Sequence, residues 1–583
     1  MKLKASTKFT LSILFVLLTV FSFYAYYYYK HYKRPYAVLI SPENKIQLVS
    51  EHASISTSIL KLPNGSINRA TVKPSTVYLK EASTGAIIPS RLSVSRKGNV
   101  ITLVPNHPLK LNTTYIFTVT RGVKDLSGAS FIPYTSTFTT GSASSKELLD
   151  VKFEKVRLPN APAMYSSLTF GPDGKLYALG IDGIISRFSV LGDGTLSDPE
   201  LIYSLQDASG KRQQRLSIGL TFDPSSTANN LIAYVSNSTF VFQDGPDWDG
   251  KLTRLSGPKL ENVQDLLIHL PRSYKDHLTN SLAFGPDGAL YFPQGSNSAL
   301  GEADKTWGFR KEHLLSATIL RLDLKMLGKV LPLDVKTPEG GGTYNPYAPD
   351  APLTIYATGI RNAYDLVWHS NGELYVPNNG SAPGGNTPAS IAGARRPDGS
   401  LYKGPSIPSL AKVKQIEKDL LFRIHKGGYY GHPNPLRGEY VLNGGNPTDS
   451  TDPAQTDDYP VGTLPDANWQ GFVFDFHNNK SPNGVIEYKS NAFGGALKGK
   501  LIIARYSTDD LITLSPCKVR KGILNFVEGS AIEGFSGLVM PLDLIEDTKT
   551  GNIYVSEYGT GGISLLRPKV TNNPISMMNT PPR

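Results

Sequence analysis

The chain has 583 residues, 40% of them hydrophobic, which is too many for one core and points to two or three domains; Gly 54, Pro 42 and many short β-branched runs favour an all-β protein rich in turns. Sixty basic and 49 acidic residues leave a net charge of +11, but the excess is scattered. It forms no basic stripe interleaved with aromatics, so no nucleic-acid partner is expected, and weak attraction to an anionic surface fits the sign better.

Chain order begins with Lys2, Lys4 and Lys8, then an uncharged run over 9–29, then Lys30, His31, Lys33 and Arg34. The run has about the 20 residues that a bilayer-spanning helix needs, and aromatics crowd its end as at a membrane interface. No small-x-small cleavage site stands out near 26–36, so an uncleaved anchor is favoured over a signal peptide for residues 1–34. Either reading makes the protein membrane-anchored or secreted, and extracytoplasmic.

Residues 35–141 alternate short runs (76–79, 92–94, 100–104, 115–119) with turn signals such as Pro63-Asn64-Gly65 and Ser83-Thr84-Gly85, the pattern of a β-sandwich. Asp125-Leu126-Ser127-Gly128 followed by Phe138-Thr139-Thr140-Gly141 resembles the end of the bacterial Ig-like domain of surface proteins, which implies a spacer or adhesive module. Asp125 reads as a turn initiator completed by Gly128, with a metal ligand as the lesser alternative.

From 142 to 570 a unit recurs. Leu168-Thr169-Phe170-Gly171-Pro172-Asp173-Gly174-Lys175-Leu176-Tyr177 returns as Leu282-Ala283-Phe284-Gly285-Pro286-Asp287-Gly288-Ala289-Leu290-Tyr291, and more weakly at 366–376 and 544–555. Each copy reads strand, tight turn, strand, with Gly taking the positive φ. Repeated hairpins at long, uneven intervals predict a β-propeller, and the insertions at 339–352, 380–408 and 431–465 favour six blades. Residues 571–583 read as a disordered tail. Cys517 stands alone, which excludes an intramolecular disulfide and reads as a small buried hydrophobe.

The large domain resembles the glucose/sorbosone dehydrogenases, six-bladed propellers that use pyrroloquinoline quinone and calcium. The landmarks are His277-Leu278-Thr279-Asn280 ahead of Gly285-Pro286-Asp287-Gly288, Tyr356-Ala357-Thr358-Gly359-Ile360-Arg361-Asn362, Gly428-Tyr429-Tyr430-Gly431-His432-Pro433, and Ser481-Pro482-Asn483-Gly484. The resemblance implies His277 as the general base that takes a sugar hydroxyl proton, a task that suits neutral imidazole. It implies Arg361 and Asn362 at the pocket, where a guanidinium fork would hold a carboxylate or oxyanion; the alternative for Arg361 is a salt bridge between blades. It implies the backbone carbonyls of Gly380 and Ser381 as calcium ligands, since carbonyl oxygen suits that hard cation. Arg505 lies near the family's cofactor lysine, and His432 lies in a loop whose Tyr429, Tyr430 and Tyr440 could stack on a sugar.

The chain also departs from that family. Ser296 stands where an acidic residue is expected after the Gly-Pro-Asp-Gly turn, Asn378 stands for another acid, and Met540-Pro541-Leu542-Asp543 replaces a late pair of cofactor arginines. Each lost charged contact to a tricarboxylate cofactor is worth roughly 1.5–3 kcal/mol. Asp247-Trp248-Asp249 and Asp457-Asp458 lack the spacing of a calcium loop, and no serine-hydrolase, zinc-protease or phosphate-loop motif is present. Two functions are expected: an extracytoplasmic sugar or polyol oxidoreductase, or a non-catalytic surface propeller that binds a glycan with the Ig-like domain as spacer.

Overall fold

The computed structural model describes residues 17–26, 34–41, 44, 46–49, 55–62, 65–94, 98, 100–107, 109–141, 145–207, 212–396, 399–447, 454–466, 468–516 and 523–569. Cys517, the 571–583 tail and much of the apolar 9–29 run lie outside them. Residues 17–26 are helical and exposed, and among the described residues no helix is long and apolar enough to cross a membrane.

The chain divides into two compact units, the first comprising Met1–Ala143 with Gly445–Leu464, the second Ser144–Gly444 with Pro465–Arg583. In the first unit two four-stranded sheets form a sandwich. One runs in the order Tyr36–Ser41, Ile55–Lys61, Val100–Pro105, Ser90–Val94; the other runs Ile46–Val49, Tyr134–Thr140, Thr114–Val119, Val77–Glu81. Alternation decides which side chains meet. Val77 and Leu79 of one strand and Tyr115 and Phe117 of its neighbour turn inward against Ile101 and Leu103 of the opposite sheet. Asp125 initiates the turn: its Oδ1 accepts from Ser127 N and Ala129 N, both at 2.9 Å, and Gly128 has φ +83.

Among the described residues the second unit holds six sheets, each with a core of four antiparallel strands; two of them add a short parallel strand at the edge, Leu333–Asp334 beside Asn262–Leu270 and Ser145–Lys146 beside Ile523–Val527. Their first strands are Tyr165–Phe170, Arg215–Phe222, Ala283–Phe284, Val367–Trp368, Pro482–Glu487 and Pro541–Asp547. The sixth sheet takes its last member from the start of the unit: Phe153–Leu158 pairs antiparallel with Gly562–Pro568. The recurrent sequence unit explains the tight turns. In the first copy Asp173 Oδ1 accepts from Lys175 N (3.2 Å), its Oδ2 accepts from the Tyr177 hydroxyl (2.9 Å), and Gly174 sits at φ +73. Asp287, Ala289, Tyr291 and Gly288 repeat the arrangement, with Arg321 Nε adding a 2.8 Å bond to Asp287.

Hydrogen bonds link each sheet to the next and the sixth to the first. Leu220 N donates to Ser167 Oγ (3.4 Å), Ser236 Oγ to Asn280 O (2.8 Å), and Asn280 Nδ2 to Ala363 O (2.7 Å). Val485 N donates to Asp365 Oδ2 (2.8 Å), Ser490 N to Glu546 Oε1 (2.7 Å), and Leu168 N to Asp543 Oδ2 (2.7 Å). Apolar clusters fill the gaps between neighbouring sheets; Leu290 and Phe292 of the third sheet, for example, pack with Leu252 and Leu267 of the second.

Candidate functional site

His277 lies on the connection that leaves the second sheet at Asn262–Leu270 and enters the third at Ala283–Phe284. Ser273 fixes its backbone: Ser273 Oγ accepts from His277 N, and Ser273 N donates to His277 O, both at 3.0 Å. A Cβ on Gly295 would stand 2.7 Å from the His277 Cβ, so only glycine admits the imidazole here. The ring is buried and its Nδ1 lies 3.0 Å from both the carbonyl and the hydroxyl of Ser296. A carbonyl can only accept, so the proton is assigned to Nδ1 and the lone pair to Nε2, which has no hydrogen-bond partner among the described residues. Burial first, then the Arg361 guanidinium, holds this imidazole well below the usual histidine range, so it is neutral near pH 7.

The departure at Ser296 thereby gains a physical meaning. The residue that stands where the resemblance expects an acid is the one that orients His277, and it does so without charge. Ser296 adds no charge of its own; the more distant Glu312 carboxylate raises the imidazole's pKa, but burial and Arg361 outweigh it, and the tautomer is still fixed.

Trp307 gathers the site. Its ring centroid lies 4.2 Å from that of His277, 5.7 Å from the Arg361 guanidinium carbon and 5.2 Å from Lys275 Nζ. A short 3-10 turn, Lys305–Trp307, presents it, capped by Asp304, whose side chain accepts from Thr306 N and Trp307 N. Sequence reading missed this residue. The available signal was a scarce tryptophan three positions after an aspartate.

Arg361 is half-buried and faces carbonyls only: Nε donates to Ala299 O (3.0 Å), Nη1 to Asn379 O (3.3 Å) and to Gly380 O (2.9 Å). It forms no ion pair among the described residues, and it lines a cavity. Burial lowers its pKa, but a guanidinium stays charged. Asn362 is a joint: its Oδ1 accepts from Asn280 Nδ2 (3.1 Å) and its N donates to Asn378 Oδ1 (3.0 Å).

His432 is buried with its Nε2 3.0 Å from Glu312 Oε1, a second residue that sequence reading missed. Glu312 also accepts from Asn297 N, Ser298 N, Ser298 Oγ and Ser316 Oγ. Burial opposes its ionisation, but His432 and the two hydroxyls outweigh that and keep it a carboxylate. His432 itself is pushed down by burial, and its Nδ1 is buried without a hydrogen-bond partner. A cavity beside it is lined by Leu300, Gly359, Arg361, Asn378, Tyr430 and His432. Tyr429 and Tyr430, expected as stacking surfaces, are buried and donate to Val441 O (2.5 Å) and Arg423 O (2.6 Å); Tyr430 also lines the cavity, and Tyr440 is buried in the same loop.

Thus His277, Arg361 and His432 come together, and Asn362 supports them. Arg505 does not join them as a free cation. It is buried on the fifth sheet, its Nε and Nη2 bound to Asp510 Oδ1 (2.9 Å) and Oδ2 (2.5 Å), and its Nη2 to Glu528 Oε2 (2.6 Å). The predicted calcium ligands are also engaged. The Gly380 carbonyl accepts from Arg361, and the Ser381 carbonyl accepts from Glu417 N (3.0 Å). A divalent cation at Gly380 O would stand against a guanidinium. The residues present therefore do not fit calcium at this point, and with Arg505 neutralised by two carboxylates they do not fit a tricarboxylate quinone. Asp247 and Asp249 are taken up too, by His313 Nε2 (2.9 Å) and by Thr239 N (2.6 Å).

Residues 33–140 match the family described as bacterial Ig-like domain, so the first unit carries such a domain. No curated protein matches the chain. Among solved structures, the chain is similar to the PQQ domain of pyranose dehydrogenase from Coprinopsis cinerea in its holo form, at 12% identity and TM-score 0.44 over 73% of this chain and 97% of that one. It is similar to the soluble aldose sugar dehydrogenase from Escherichia coli in its apo form, at 16% identity and TM-score 0.42 over 72% and 99%. It is also similar to the PQQ-bound aldose sugar dehydrogenase from Streptomyces coelicolor, at 15% identity and TM-score 0.40 over 72% and 99%.

Proposed function

We propose that residues 142–570 form a six-bladed β-propeller that binds a sugar or related polyol outside the cytoplasm, with the Ig-like domain of 35–141 as its spacer and residues 1–34 as the export signal or membrane anchor. The observation that carries this reading is the cluster around Trp307: a neutral imidazole with an open Nε2 and a guanidinium without a carboxylate partner, both on loops held by rigid sheets. Such a pair accepts a hydroxyl proton or hydrogen bond at one end and donates to an oxygen at the other.

The His277 geometry favours a second, catalytic reading, in which the same Nε2 removes the hydroxyl proton of a sugar during its oxidation. No redox step is derived, because the residues at the site do not fit the quinone or its calcium.

The test is calorimetric titration of the full-length protein with an aldose and polyol panel, followed by dye-reduction assays with and without calcium and pyrroloquinoline quinone. Binding without dye reduction supports the binding propeller, and dye reduction abolished by His277→Ala supports the catalytic reading. No binding by any sugar overturns both.

A further inference from the structure

We propose that the Arg361 guanidinium is the built-in cation of this pocket, standing where a bound metal would otherwise be needed, and that the group it takes is the carboxylate of an acidic sugar. The inference rests on the sugar-binding reading and names its substrate class. Three backbone carbonyls, those of Ala299, Asn379 and Gly380, converge on this one side chain at 3.0, 3.3 and 2.9 Å. Converging carbonyl oxygens are what a hard cation recruits. Gly380 is held close against the Glu417 and Lys418 carbonyls, with no room for a Cβ, which keeps its own carbonyl in place.

The guanidinium keeps one arm free. Nη2 makes no hydrogen bond among the described residues, and the carboxylates whose charge reaches Arg361, first Asp276 and then Asp419, Glu417 and Glu312, make no ion pair with it. Asp419 accepts instead from the backbone of Gly380, Lys480 and Ser481, and Glu312 is saturated by its own donors. A second cation, Lys275, lies over the same Trp307 ring and forms no ion pair among the described residues. Two cations around one indole, one of them with a free planar fork arm, match a carboxylate better than a neutral hydroxyl. The open Nε2 of His277 on that ring then suits a hydroxyl of the same ligand.

The experiment is calorimetric titration of the full-length protein with D-glucuronate and D-glucose, each in the presence of EGTA or of calcium chloride. Glucuronate is expected to bind at least about tenfold more tightly than glucose, the scale of one charge-assisted hydrogen bond, and equally well in EGTA and in calcium. Arg361→Gln should erase the preference while leaving the melting temperature near that of the parent, and Arg361→Lys should retain part of it. A calcium requirement, equal binding of the two sugars, or an unchanged preference in Arg361→Gln overturns the proposal and leaves the sugar-binding reading intact. Failure of glucuronate to bind overturns the proposal, whereas the sugar-binding reading falls only if the whole aldose and polyol panel fails.

Discussion

Two arginines on neighbouring parts of the second unit make opposite use of the same side chain. Around Arg505 the guanidinium is buried and closed off by Asp510 and Glu528, with every contact running to an anion. Around Arg361 it is half-buried, held by carbonyls, and left with an open arm. The first region resembles a structural staple, whose charges cancel and whose removal would strand two carboxylates. The second is a positioned charge whose neighbours orient it without neutralising it. The difference shows why an arginine near a family landmark cannot be read as a ligand until its partners are known.

The comparison can be broken most directly at Arg505. Arg505→Ala should cost about 3 kcal/mol in chemical denaturation, because it leaves the buried Asp510 carboxylate, and the half-buried Glu528 beside it, without a counter-ion; a loss below about 1 kcal/mol would mean that the pair is not structural. Next comes the uncharged support of His277. Ser296→Asp restores an anion at Nδ1, so the imidazole should titrate at least about one pH unit higher by NMR, equivalent to roughly 1.4 kcal/mol. An unmoved titration would refute the assigned contact.

A third test concerns the carboxyls between sheets. Burial and the neighbouring Asp365 push the Asp543 carboxyl well up, and burial raises Asp365 to about 6. The folded state therefore holds these protons more tightly than the unfolded chain. Their contribution to stability is complete below the usual carboxylate range; that of Asp365 is lost as pH rises through about 6, and that of Asp543 as pH rises through its own raised range. Asp543→Asn removes the mutual repulsion, so its melting temperature should fall less between pH 4 and 8 and exceed the parent's at pH 7 by the equivalent of about 1 kcal/mol. Equal slopes would deny the coupling. The stability effect at Arg361 is expected to be smaller than at Arg505: Arg361→Gln should cost on the order of 1–2 kcal/mol, since it loses hydrogen bonds to carbonyls but no ion pair. A large loss would move Arg361 into the staple class.

Much of the fold was legible because its causes are local. The Gly-Pro-Asp-Gly turns announce themselves in sequence, as the Asp173–Tyr177 and Asp287–Tyr291 bonds then explain. The sandwich followed from alternation of residues such as Val77 and Leu79. His277, Arg361 and His432 were marked by motif order, and the structure gathers them. Glu312 and Trp307 were not, because each acts through partners brought close by the sheets, and nothing local distinguishes Glu312 from a solvated acid. The engagement of Gly380 and Arg505 was equally out of reach, since a hydrogen-bond partner is a three-dimensional fact. Tyr429 and Tyr430 could not be told apart in sequence, because aromatics in a Gly-rich loop fill the loop itself as readily as they face a ligand; in the fold Tyr430 lines the cavity and Tyr429 bonds Val441 O.

One consequence follows from the pairing of Phe153–Leu158 with Gly562–Pro568. The Arg567 to Glu154 ion pair in this ladder joins positions 413 residues apart. During synthesis the early strand must wait, its edge unmatched, until nearly all of the second unit has left the ribosome. Trimming the late strand would expose a ready-made template for another chain's edge.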